Sequence, residues 1–165
     1  MSTIDPMEYR KTLGTYPTGV VVITGSTPDG PVGVVIGSFT SVSLEPPLVG
    51  FLPGKSSTSW PKIETTGKFC VNILADDQLH VVNAWGRNGT KFDETPHHPA
   101  PATGSPIIDG VLSWIDCTLD TQADAGDHWW IMGAIEAMNV EREDVGALQF
   151  FRGSYGAFNQ FPAPG

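Results

Sequence analysis

The chain alternates short apolar runs with turn signals at intervals that suit strands better than helices. Val20-Val21-Val22-Ile23-Thr24 is a β-branched run that predicts a buried strand. Pro28-Asp29-Gly30 then turns the chain. Residues 32–42 predict the returning strand, Glu45-Pro46-Pro47 interrupts it, and residues 48–52 predict a third. Phe69-Cys70-Val71-Asn72-Ile73-Leu74 is a fourth run. Residues 113–119 alternate cleanly, with Ile115, Cys117 and Leu119 on one face and Asp116 and Thr118 on the other. Residues 129–140 follow the Ala125-Gly126-Asp127 turn as a long strand, and residues 147–151 close the series.

Helical signals are few and short. Asp5-Pro6 supplies a cap and a proline at the first helical position, Met7, Tyr9 and Leu13 form an apolar side, and Gly14 ends the turn. The polar Lys55-Ser56-Ser57-Thr58 starts a second helix that runs through Ile63. Leu79, Val82 and Trp85 behind Asp76-Asp77 have the spacing of a surface helix. Residues 88–106, rich in Gly, Pro, Thr and His, read as a long irregular loop. Strands and helices do not alternate as a doubly wound sheet requires. The pattern therefore predicts a mainly β fold, a β-barrel of six to seven strands with two or three short helices.

Composition narrows the function. The 165 residues are 40% hydrophobic and 16% charged, enough to bury one core, so residues 1–158 read as a single domain and 159–165 as a loose tail. The net charge of −9, without a basic patch, argues against nucleic acid. No apolar run is long enough for a signal peptide or a membrane span, so no membrane partner and a cytoplasmic location are expected. Asn88-Gly89-Thr90 then reads as a chance glycosylation match. Cys70 and Cys117 are neither a disulfide framework nor a zinc site.

Several segments carry candidate chemistry. Gly54-Lys55-Ser56 is not a triphosphate loop, because Val49 stands where that motif needs its first glycine. Lys55, Ser56, Ser57 and Thr58 still suit a phosphate monoester, or equally a solvated turn that caps a helix. The hydroxyl-rich residues 37–44 leave room for a planar ring to approach the backbone, or form the polar face of an edge strand. Gly126-Asp127-His128 sets an imidazole beside a carboxylate, able to orient a cofactor or serve only as a surface group. His97-His98 reads as surface, and no metal site is expected.

The order of these segments resembles one family. Thr18-Gly19-Val20-Val21-Val22-Ile23-Thr24 and the stretch from Ser38-Phe39-Thr40-Ser41-Val42-Ser43-Leu44-Glu45 through Pro46-Pro47-Leu48-Val49 are similar to flavin reductase-like proteins with an FMN-binding split barrel of Greek-key type. Lys55-Ser56-Ser57-Thr58, Gln78, Gly126-Asp127-His128 and Arg152-Gly153-Ser154-Tyr155 follow in the same order. The resemblance implies a homodimer that binds FMN, or FAD, and reduces it with NADH or NADPH for a partner monooxygenase. It implies flavin contacts from Val34, Val35, Ile36, Gly37, Ser38, Ser43 and Leu44, and phosphate contacts from Lys55, Ser56, Ser57 and Thr58. Lys91 and Phe92 would approach from the loop, Tyr155 would lie close by, and His128 would place the nicotinamide as the catalytic residue. Relatives usually carry hydroxyl side chains where this chain has Val35 and Gly37, so binding there would fall to backbone groups.

Overall fold

The structure is a computed structural model that describes residues 3–85 and 92–162. Its first element is helix α1 (Pro6–Leu13), where Asp5 Oδ1 accepts from the amides of Met7 (2.7 Å) and Glu8 (3.1 Å), as the Asp-Pro signal predicts. The strands that follow are β1 (Thr18–Gly19), β2 (Val21–Thr27), β3 (Gly30–Ile36), β4 (Thr40–Ser43), β5 (Leu48–Phe51) and β6 (Lys68–Ile73), with α2 (Trp60–Glu64) before β6. A single 3-10 turn at Asp76–Gln78 leads into α3 (Leu79–Trp85). Then come β7 (His97–Pro99), β8 (Pro106–Ile108), β9 (Ser113–Ala125), β10 (His128–Val140), β11 (Leu148–Phe151) and β12 (Ser154–Ala157).

Seven strands form one antiparallel sheet in the order β3-β2-β6-β9-β10-β5-β4. Its two ends are not hydrogen-bonded to each other, yet side chains from both meet in one core. Val21, Ile23 and Ile36 from one end join Val49 and Phe51 from the other, with Phe69, Val71, Cys117 and Ile131 between them. The sheet is therefore curled around its own inner face as a split barrel. Trp60 and Ile63 of α2 belong to the same core, and Phe51 meets Trp60 and Phe69 edge-on at 5.2 and 5.4 Å. Gly133 belongs to this packing, because a Cβ there would stand 2.3 Å from the Phe69 ring. The other face of β2, β6 and β9 carries a second core, in which Val22, Cys70 and Trp114 meet Val82 and Trp85 of α3 and Ile107 and Ile108 of β8.

Three expectations need correction. Residues 32–42 are not one strand: the chain leaves the sheet after Ile36 and re-enters as β4 on the opposite edge. The 88–106 loop is only partly irregular, since β7 and β8 pair within it and buried polar side chains hold it. Asn72 Nδ2 donates to the carbonyl of Pro106 (3.2 Å) and Asn72 Oδ1 accepts from the amide of Ile108 (2.7 Å). Asp116 accepts from the amides of Ala102 (2.8 Å) and Thr103 (3.0 Å). The small sheet β1-β11-β12, with β12 beyond the last expected strand, arises from a two-residue turn at Arg152-Gly153. The Asn88-Gly89-Thr90 match lies outside the described residues.

Candidate functional site

The break between β3 and β4 is also where a site forms. Ser38 bridges the split: its hydroxyl accepts from the amide of Leu52 at 2.9 Å and donates to the carbonyl of Leu52 at 3.2 Å. After Leu52 the chain runs along the β9–β10 hairpin. The amide of Trp129 donates to the carbonyl of Pro53 (3.0 Å) and the amide of Lys55 to that of Asp127 (2.9 Å). The hairpin turns tightly because Gly126 takes φ 71°, a left-handed conformation that glycine adopts without steric cost. Gly126-Asp127-His128 is thereby set beside Gly54-Lys55-Ser56, some seventy residues away in sequence.

Between these walls lies a cleft of about 490 Å³, within the range of small-molecule sites. Val34, Val35, Ile36, Gly37 and Ser38 line one side, Leu52 and Gly54 another, and His128 and Tyr9 complete it. A smaller cleft of about 220 Å³ shares Val35, Ile36 and Gly37 and is completed by Thr18, Phe150 and Tyr155, among others. Six of the predicted site residues thus surround one space and Tyr155 its neighbour. The lining is apolar over Val34 to Ile36 and open at Gly54, where an added Cβ would meet only Ser56 Oγ at 3.7 Å and His128 Nε2 at 3.8 Å. An apolar strand end with exposed backbone and one imidazole fits a planar heteroaromatic ring with a polar edge.

His128 is oriented by its neighbour. Its Nδ1 lies 2.6 Å from Asp127 Oδ1, which leaves Nε2 on the Gly54 side. The same contact holds the Asp127 carboxyl below the usual carboxylate range, with the His128 hydrogen bond as the largest cause. Asp124 is held down likewise by Lys55, whose Nζ is 2.8 Å from Asp124 Oδ1 and 4.6 Å from the Trp129 ring centre. The Lys55 ammonium is therefore engaged with β9 and β10 rather than with the hydroxyls that follow it. The Ser57 hydroxyl accepts from the amides of Ser59 (3.3 Å) and Trp60 (3.2 Å) in the turn ahead of α2, whose N-cap is Ser59.

Other predicted residues lie elsewhere. Ser43 ends β4 and Leu44 is 92% exposed, at the end of β5 opposite to Leu52. The Phe92 ring packs on Trp85 (4.8 Å) and His97 (4.9 Å), against the second core and outside the cleft, because β7 draws this loop onto α3. Lys91 lies outside the described residues. His98 bonds Asp109 at 2.8 Å, a carboxylate partner that the sequence did not suggest. Among the described residues no cluster of His, Cys, Asp and Glu suits a metal ion. Both thiols are buried, and burial first, then Asp116, pushes Cys117 up to about 12, so neither is a nucleophile. The sequence pattern places Tyr9 on the apolar side of a helix, Leu52 at the end of a strand and Gly54 just before the polar 55–58 segment. Only folding brings them to the cleft.

Comparison with known proteins agrees with this geometry. The chain is 52% identical over 159 residues to a flavin reductase of Pseudomonas putida, covering 95% of this chain and 92% of the relative. It superimposes on the crystal structure of a nitrilotriacetate monooxygenase component B homologue from Mycobacterium thermoresistibile with a TM-score of 0.90 and 41% identity, covering 96% of this chain and 90% of that one. A Streptomyces globisporus NADH:FAD oxidoreductase in complex with NAD and FAD fragments matches with a TM-score of 0.88 and 26% identity, covering 96% and 98% of the two chains. Residues 13–159 match the pattern of the flavin reductase like domain, a span that holds the split, the Ser38 bridge and the Gly-Asp-His hairpin, and the chain belongs to that family.

Proposed function

We propose that this protein is an NAD(P)H:flavin oxidoreductase that supplies reduced flavin, FMN or FAD, to a partner monooxygenase. The observation that carries the reading is the cleft in which residues 34–38 and Gly54 face His128. Flavin, when bound there, supplies the ring that accepts hydride from the nicotinamide. The chain's own task is alignment, because stacking two rings at reacting distance accounts for much of such a rate. Val34, Val35 and Ile36 offer an apolar bed, and the backbone of Gly37 and Ser38 offers hydrogen bonds to the ring's polar edge. Ser56 and Thr58, with nearby amides, receive the flavin phosphate, while Lys55 and Asp124 brace the wall. His128, held by Asp127, presents Nε2 to the open side and orients the nicotinamide.

The functional unit is a homodimer. Helix α1 buries none of its residues, leaving Met7 and Leu13 76% and 52% exposed, with Tyr16 and the aromatic groups of β11 and β12 exposed nearby. Such an apolar surface calls for a cover.

Mixing the purified protein with FMN and NADH or NADPH tests the function. Steady oxidation of a nicotinamide is expected, and no turnover with either donor would sink the proposal. His128→Ala should lower turnover by up to roughly a hundredfold, through loss of nicotinamide alignment, while sparing flavin affinity. Unchanged turnover would remove His128 from its role.

A further inference from the structure

A third cleft, of about 570 Å³, is lined by Arg10, Lys11, Gly14, Thr15, Arg152 and Gly153. The chain has nine Lys and Arg against eighteen Asp and Glu, yet this wall holds three cations and no carboxylate. Among the described residues none of the three forms an ion pair. Arg10 and Lys11 stand in the last turn of α1, where the helix dipole alone would favour them. That explanation does not extend to Arg152, which arrives from the β11–β12 turn. Its amide donates to the carbonyl of Gly14 at 2.9 Å and fixes the turn against the helix.

Arg152 is also the one non-glycine residue with positive φ among those described, at 49°. Asparagine or glycine occupies such a turn position at less cost, so the backbone carries strain to keep an arginine there. The Arg152 guanidinium lies 5.0 Å from the Phe151 ring centre, a contact that leaves its charge uncompensated, and an anion bound in the cleft would offset all three like charges. The neighbouring walls say which kind. Tyr9, next to Arg10, lines the His128 cleft, and Tyr155, two residues beyond Gly153, lines the smaller cleft beside Val35 to Gly37. The basic cleft is thus built on the same two elements, α1 and the β11–β12 hairpin, that contribute Tyr9 and Tyr155 to the ring clefts.

We propose that Arg10, Lys11 and Arg152 bind the phosphates of the nicotinamide dinucleotide donor. This rests on the reductase reading, in which Ser56 and Thr58 receive the flavin phosphate. Guanidinium groups pair with phosphate oxygens in a fork, and a donor with an additional phosphate on its ribose gains more from the third cation.

The double variant Arg10→Gln/Arg152→Asn tests the site, since asparagine suits the turn and preserves the fold. KM for NADH should rise roughly tenfold, and KM for NADPH by more, with kcat and FMN affinity kept. The salt dependence of KM should flatten in the variant. An unchanged KM for both donors overturns the proposal, and so does weaker binding of FMN with riboflavin binding intact, which would assign the cleft to the flavin phosphate. If the wild-type protein oxidises neither donor, the reductase reading has failed. Calorimetric titration with NADH and NADPH then decides the site: binding lost in the variant supports it, and equal or absent binding in both proteins overturns it.

Discussion

Residues 96–109 and helix α1 behave in opposite ways. The first segment has Pro, His, Gly and Thr and no hydrophobic period, yet Ala100, Ser105, Ile107 and Ile108 are buried. The second has a cap, a proline in place and an apolar spacing, yet it buries nothing within its own protomer. Periodicity reports which side chains can share a face, not whether anything lies against that face. The loop is held by buried polar anchors, Asn72 and Asp116, which satisfy backbone groups that an irregular segment cannot pair for itself. The helix leaves its apolar side to whatever covers the protomer.

The contrast can be broken at the anchors first. Asp116→Ala removes the acceptor of the Ala102 and Thr103 amides and of the Thr103 hydroxyl, and should cost ~3 kcal/mol in urea unfolding. Asn72→Ala should cost ~2 kcal/mol, with hydrogen exchange at Ile108 rising together with the loss. A stability within error of wild type for either variant would mean that the loop holds itself.

The helix should answer differently. Met7→Ser with Leu13→Ser should leave the unfolding free energy of a dilute protomer within ~0.5 kcal/mol, since neither side chain is buried there. If the proposed homodimer forms through α1, sedimentation should nevertheless show weaker self-association in the variant than in the wild type. Equal association of the two proteins would place α1 outside any such contact.

The smallest effect is expected at Arg142, whose two contacts with Asp77 (3.0 and 2.8 Å) lie at the surface. Arg142 holds the Asp77 carboxyl below its usual range. The pair therefore contributes stability above the ordinary carboxylate pKa and loses it as pH falls through the lowered value. Arg142→Ala should shift the melting temperature slightly at neutral pH and less in strong acid, where only the Arg142 bond to the Gly110 carbonyl (3.0 Å) remains to be lost.

Part of the candidate cleft is legible in short local runs. Gly126-Asp127-His128 shows its imidazole and carboxylate in its own composition, whereas Val34 to Ile36 come to the site through the family resemblance rather than through anything visible in the run itself. Lys55 shows the limit of a local reading. Its neighbours in sequence are hydroxyls, whereas its neighbours in space are Asp124 and Trp129, delivered by β9 and β10. Phe92 looked available to the cleft because nothing local tied it to Trp85.

By itself the chain determined the cap of α1, the turns at Gly30 and Gly126, and the alternation that gives β9 an inner face. These depend on φ, hydrogen-bond donors and side-chain direction within a few residues. Tertiary structure decided that the sheet stays split, that Ser38 bridges the split to Leu52, and that the hairpin seats His128 over Gly54. Those outcomes depend on which strands meet after the sheet curls around its core, a long-range choice that no single segment encodes.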